Sequence, residues 1–141
     1  MRSTDRLPGG CRWIELEKFW DARGALTPVE SGRHIPFEIR RVFYFYDVPA
    51  GEARGAHAHR TLEQVLLALS GSYRVMLDDG SSRAHVTCDR PWRGLYVPPM
   101  VWACQTDFAG GTVGLSIASA PFDEHDYIRD HAEFSRLVAA A

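Results

Sequence analysis

The chain has 141 residues, 45% of them hydrophobic, and a net charge of −2. That is enough apolar material for the core of one domain, taken as residues 1–141, and the charge balance gives no reason to expect a nucleic-acid or membrane partner. Cys11, Cys88 and Cys104 are odd in number and form no Cys-x-x-Cys pair, so they read as reduced thiols of a cytoplasmic protein.

Met1–Gly10 reads as a loose end closed by Pro8-Gly9-Gly10, with no signal-peptide core. No apolar run is long enough to span a bilayer. Trp13–Leu16 suggests a first strand, and Asp21-Ala-Arg-Gly24 a turn. Leu26–Glu30 suggests a short edge strand tolerating Pro28. Ile39–Tyr46 is a strong strand, rich in aromatic and β-branched residues. A loop over Asp47–Ala56 carries Pro49, Gly51 and Gly55.

The next stretch, His57-Ala-His59-Arg-Thr-Leu-Glu63, runs into the apolar segment Val65–Leu69, stopped by Ser70-Gly71. It reads as a strand leaving a polar site and entering a core. Further strands follow over Ser72–Leu77, Ser82–Cys88, Gly94–Val97, Trp102–Cys104 and Gly114–Ile117, with a hairpin turn at Asp78-Asp-Gly-Ser81. Only the tail predicts a helix: Asp130 caps His131–Ala139, with Phe134, Leu137 and Val138 on one side. Short strands with Gly/Pro turns and no βαβ alternation argue an antiparallel sandwich or barrel.

In a strand, residues i and i+2 share a face, so His57 and His59 lie roughly 6.5–7 Å apart along it. Such a pair can face solvent, move protons or hold a metal. Glu63 would offer a metal a third ligand. His34, His85, His125 and His131 lack partners in sequence and are expected at the surface.

Gly51-x5-His57-x-His59-x3-Glu63 followed by Gly71 resembles the first signature of the cupin superfamily, a small jelly-roll barrel. Ala103 stands where the second signature carries its histidine. That loss of a nitrogen donor favours metal-free acid–base chemistry over a metal site.

Seven stretches together resemble the sugar nucleotide 3,4-ketoisomerase family. They are Asp21–Leu26, His34–Val42, Arg54–His59, Leu62–Val65, Leu77–Gly80, Gly94–Trp102 and Asp126–Asp130. The resemblance implies an all-β jelly roll with a short C-terminal helix. Its substrate would be a thymidine-diphosphate-linked 4-keto-6-deoxy sugar whose ketone moves from C4 to C3. It implies no cofactor, no metal and a homodimer with an N-terminal strand crossing the interface. It makes His57 and His59 the acid/base pair and Arg54 a contact to phosphate or enolate. Arg60 stands where lysine is usual, Arg41, Gln64 and Arg23 become nucleotide contacts, and Trp102 a wall of the sugar pocket. Two positions depart from the characterised isomerases: Phe43 replaces a tyrosine and Ala103 a histidine. An epimerase of the same sugar nucleotides, a non-catalytic sugar-nucleotide-binding module and a metal-dependent oxygenase are the competing functions.

Overall fold

The computed structural model describes residues 6–141. Met1–Asp5 of the expected loose end lie outside the described residues. The rest of that end is not loose: Pro8–Gly10 form a 3-10 turn with Pro8 buried.

The described residues contain twelve strands and one α-helix. In order they are β1 (Arg12–Glu15), β2 (Phe19–Asp21), β3 (Gly24–Leu26), β4 (Arg41–Tyr46), β5 (Arg54–His59) and β6 (Gln64–Ser70). Then come β7 (Tyr73–Asp78), β8 (Arg83–Cys88), β9 (Arg93–Val97), β10 (Trp102–Thr106), β11 (Val113–Ala118), β12 (Tyr127–Ile128) and α1 (His131–Ala140). Two five-stranded sheets, ordered β1-β9-β6-β11-β4 and β12-β5-β10-β7-β8, make a jelly roll, and β2-β3 stands apart as a hairpin. All their strand pairs are antiparallel.

The period-2 alternation explains the layering. Leu66, Ala68, Leu95 and Val97 from the first sheet meet Tyr73, Val75, Leu77 and Ala103 from the second in one buried core. Val65, Leu67 and Ile117 point the other way, beneath Ile35 and Phe37 of the segment that crosses the outer face of the first sheet. A strand covered on both faces reads as an unbroken apolar run, which is why Val65–Ala68 shows no alternation. Removing the side chain of a fully buried leucine such as Leu66 costs roughly 2–5 kcal/mol. At Gly114 any side chain would collide with the Phe45 ring, so β4 and β11 close only around a glycine.

α1 covers the outer face of the second sheet, where Phe134 packs with Ala58, Trp102 and Ile128. Asp130 caps it by accepting from the backbone N–H of Ala132. Leu137 is exposed, so the buried stripe is Phe134 and Val138, one helical turn apart.

Three expectations need correction. Residues 27–30 are not a strand; the hairpin strand ends at Leu26, because β3 pairs only with the short β2. His57 and the apolar run do not share a strand. The chain breaks at Arg60–Glu63, and β5 and β6 belong to different sheets. His34 is not a surface residue: its side chain is 7% exposed, accepting from the Glu30 N–H and meeting Glu17 at 2.9 Å.

Candidate active site

The inward residues of β4, β5, β10 and β12 meet at one end of the space between the sheets. Alternation along β5 sends Ala58 outward into the core beneath α1 and leaves both histidines on the inner side. A bulge precedes them. Ala103 pairs with His57 while Gln105 pairs with Arg54, so β5 carries one extra residue there. Gly55, at φ +70°, supplies the left-handed turn that such a bulge needs. The bulge brings Arg54 to the wall of a cavity of about 350 Å³. Arg41, Phe43, Phe45, His57, Gln64, Ala103, Gln105, Tyr127 and Arg129 line the rest of that wall.

The aromatic groups form a tight cluster. The rings of His57 and His59 lie 4.8 Å apart, and Tyr127 sits 4.8 Å from the first and 4.4 Å from the second. Tyr127 and His59 are direct partners across β12 and β5. His57 is on the cavity wall, and His59, 5% exposed, lies deeper.

His59 Nδ1 is 3.2 Å from Asp126 Oδ2. Burial alone would raise the Asp126 carboxyl. The Thr61 hydroxyl, the Thr61 and Leu62 N–H groups and His59 outweigh burial and hold it below the usual carboxylate value. Asp126 is therefore an anion that only accepts. The proton of His59 must sit on Nδ1, which leaves Nε2 with a free lone pair. Burial lowers the proton affinity of both imidazoles. For His57, burial, the neighbouring His59 and Arg129 take the pKa down to about 4. For His59, Asp126 opposes the burial, so the fall is partly offset.

Gln64 is buried, with its Oε1 accepting from Ser116 Oγ at 3.1 Å. Arg41 lies over the Phe43 ring at 4.5 Å and Arg54 over Phe45 at 5.8 Å. Arg129 lies over Tyr127 at 4.3 Å and is held by Glu124 at 2.7 and 3.0 Å. Three guanidiniums on one wall suit a diphosphate, since each presents a planar fork of donors.

Of the residues named from sequence, the cavity brings together His57, Arg54, Arg41 and Gln64, with His59 directly behind. It does not include three others. Trp102 is buried on the outer face of the second sheet against His131 and Phe134, since it alternates with the inward Ala103. Arg60 points away from the cavity toward Glu133, at 4.0 Å. Arg23 lies on the β2-β3 hairpin, its side chain 91% exposed and bonded to Asp21. Glu63 does not join the histidines either: its Oε1 accepts from the Tyr96 hydroxyl at 2.6 Å. Among the described residues no three His, Cys, Asp or Glu side chains gather as a metal would need.

Asp126, Tyr127, Arg129 and Gln105 had no assigned role in sequence. The first three lie in Asp126–Asp130, a stretch whose match to the family was the available signal.

Fold and site together define a jelly-roll protein whose inner cavity joins a histidine pair to a wall of three arginines. The comparisons narrow this further. The family model described as "FdtA: WxcM-like, C-terminal" matches residues 9–139. The chain belongs to this family of sugar nucleotide 3,4-ketoisomerases. It is 46% identical over 126 residues to the TDP-4-oxo-6-deoxy-α-D-glucose-3,4-oxoisomerase of Aneurinibacillus thermoaerophilus, covering 89% of this chain and 91% of that one. A histidine-to-asparagine variant of the 3,4-ketoisomerase QdtA from Thermoanaerobacterium thermosaccharolyticum, in complex with TDP-4-keto-6-deoxyglucose, matches with a TM-score of 0.93. The identity is 34%, over 95% of this chain and 97% of that one. The TDP-quinovose 3,4-ketoisomerase WlaRB of Campylobacter jejuni matches with a TM-score of 0.87 at 39% identity, over 91% and 98% of the two chains.

Proposed function

We propose that the cavity holds a thymidine-diphosphate-linked 4-keto-6-deoxyhexose and that the histidine pair moves its ketone from C4 to C3 through an enediol. The observation that carries this reading is a pair of imidazoles 4.8 Å apart, His57 on the wall of a cavity edged by three arginines and His59 directly behind it, braced by Asp126. The isomerase activity of the matched relatives gives the pair its substrate class.

A hydrogen on carbon beside a ketone is acidic, and a neutral imidazole is a base of suitable strength. His59 is the better base of the two. Asp126 leaves its Nε2 lone pair free and partly offsets the loss of proton affinity on burial. It removes the C3 proton and returns it to C4. His57, with no carboxylate partner, stays neutral on the wall and orients the sugar. Arg54 and Arg41 take the diphosphate, and Gln64, fixed by Ser116, meets a sugar hydroxyl.

Turnover of TDP-4-keto-6-deoxyglucose in deuterated water tests the reading. Ketone transfer gives a 3-keto product labelled at C4. An epimerase would leave the 4-ketone with label at C3 or C5, and a binding module would bind saturably and make neither.

The protein acts as a homodimer in this proposal. Phe19, Trp20 and Leu26 on the hairpin and Val42, Tyr44 and Tyr46 on the outer side of β4 are all more than half exposed, apolar side chains that a second chain would cover. A monomer mass by light scattering overturns this part. A cytoplasmic location accords with three unpaired thiols; no helix of the described residues is long and apolar enough to cross a membrane.

A further inference from the structure

Moving a ketone between neighbouring carbons requires two proton transfers. One proton goes from C3 to C4, and a second goes from the oxygen on C3 to the oxygen on C4. His59 carries the first, His57 stays neutral and orients the sugar, and the second is left without a carrier.

The cavity wall limits the candidates. Apart from His57, its polar side chains are three arginines, two glutamines and Tyr127. Guanidinium and amide groups do not exchange protons in this range. Phe43, on the same wall, has the ring without the hydroxyl. Tyr127 is thus the one phenol among the described lining residues.

Its environment holds it ready. The ring is wedged against both imidazoles, with Phe122 at 5.5 Å and Arg129 over it. The backbone is pinned by the β12-β5 pairing. Arg41 Nη1 approaches the phenol oxygen at 3.5 Å as a donor. The oxygen therefore accepts from Arg41, and the phenol's own hydrogen has no acceptor among the described residues. It is left to donate into the cavity.

We propose that Tyr127 is a catalytic residue of this chain, relaying the proton between the two sugar oxygens while His59 relays the one between the carbons. The proposal rests on the ketoisomerase reading above. As the base removes the C3 hydrogen, the C–H pair becomes the C3–C4 double bond. The carbonyl pair moves onto the C4 oxygen, which takes the phenol proton. The phenolate, beside Arg41, then takes the proton of the C3 hydroxyl as that carbon becomes the ketone and C4 receives its hydrogen from the imidazolium. Both protons are accounted for, tyrosine is restored, and nothing is oxidised or reduced overall. The two oxygens sit on adjacent carbons, so one hydroxyl can serve both.

The test compares wild type, Tyr127→Phe and Tyr127→Leu for kcat and KM on TDP-4-keto-6-deoxyglucose, together with TDP affinity. Tyr127→Phe keeps the ring that packs on the histidines. Its kcat is expected to fall about 100-fold or more, with KM and TDP affinity within about threefold of wild type. A Phe variant within about threefold of wild-type kcat overturns the proposal. An active Phe variant beside an inactive Leu variant would identify the ring as packing only. A fall in kcat matched by an equal loss of TDP affinity also overturns it. If Tyr127→Phe does not fold, 3-fluorotyrosine placed at 127, more acidic with nearly the same shape, decides. The basic limb of the pH profile moves to lower pH if the phenol is in the relay, and an unmoved limb sinks the idea. A wild type that transfers no ketone overturns the ketoisomerase reading itself; an active wild type beside an equally active Phe variant overturns only the role of Tyr127.

Discussion

The second sheet carries two imidazole–carboxylate pairs, one on each face. On the inner face His59 meets Asp126 at 3.2 Å; on the outer face His131 meets Asp78 at 2.9 Å. Both carboxylates are held as anions by several donors. Asp126 has Thr61 and Leu62, and Asp78 has Gly80 and Arg83. By distance alone the outer pair looks the better machine. What separates them is the company of the second imidazole nitrogen. Around His59 stand another imidazole and a phenol, both on the wall of a cavity with three arginines. His131 packs on Trp102 and Phe134, beside a hollow lined by Gly80, Ser81, Ser82 and Ser135. The outer pair ties the first turn of α1 to the end of β7. The two carboxylate–imidazole contacts are of the same kind; only the inner one lies beside a cavity lined by another imidazole and a phenol.

Substitution at the inner pair breaks this contrast most sharply. His59→Asn is expected to lower kcat by about 10³-fold, within the range for loss of a general base, with the melting temperature nearly unchanged. His57→Asn should also reduce kcat, by a smaller factor. Steady-state kinetics on TDP-4-keto-6-deoxyglucose check both, and full activity in both variants refutes the assignment.

Asp126→Asn comes next, with kcat expected to fall about 10–100-fold. Its pH behaviour separates positioning from mere packing. Both imidazoles lie below the ordinary histidine value of 6.5, so the pair is uncharged at neutral pH. Activity should therefore hold on acidification past that value and fall only at lower pH, as the base is protonated. Asp126 raises the proton affinity of His59. Its removal must therefore shift the acid limb of kcat/KM to lower pH even as kcat drops. A limb that stays in place would show that Asp126 serves only the loop at Thr61–Leu62.

The outer pair gives the smallest change in turnover. His131→Gln should leave kcat within about twofold and cost about 1 kcal/mol of stability by urea titration, the scale of one partly exposed hydrogen bond. Asp78→Ala removes a buried acceptor from three donors and should cost about 3 kcal/mol, again with near-normal kcat in the folded fraction. A collapse of kcat at His131 would erase the distinction between the two faces.

Much of this was legible in the chain read by itself. Alternation, turns and the run stopped by Ser70-Gly71 give the strands and their faces, because a strand's side chains must point up and down in turn. The same rule placed His57 and His59 together on one face, and applied to β10 it separates Trp102 from the inward Ala103, against the pocket role the family resemblance had implied for Trp102. It does not reveal what stands across from a face. Asp126 lies 67 residues from His59 in sequence, and Tyr127 reaches the histidines only because the two-residue β12 pairs with the edge of β5. The break at Arg60–Glu63, which sends β5 and β6 to opposite sheets, separates Glu63 from the histidines despite its nearness in sequence. Local sterics decide which way a side chain faces, and short-range pattern records them. Which groups share a cavity depends on long-range sheet pairing, and only the assembled structure holds that information.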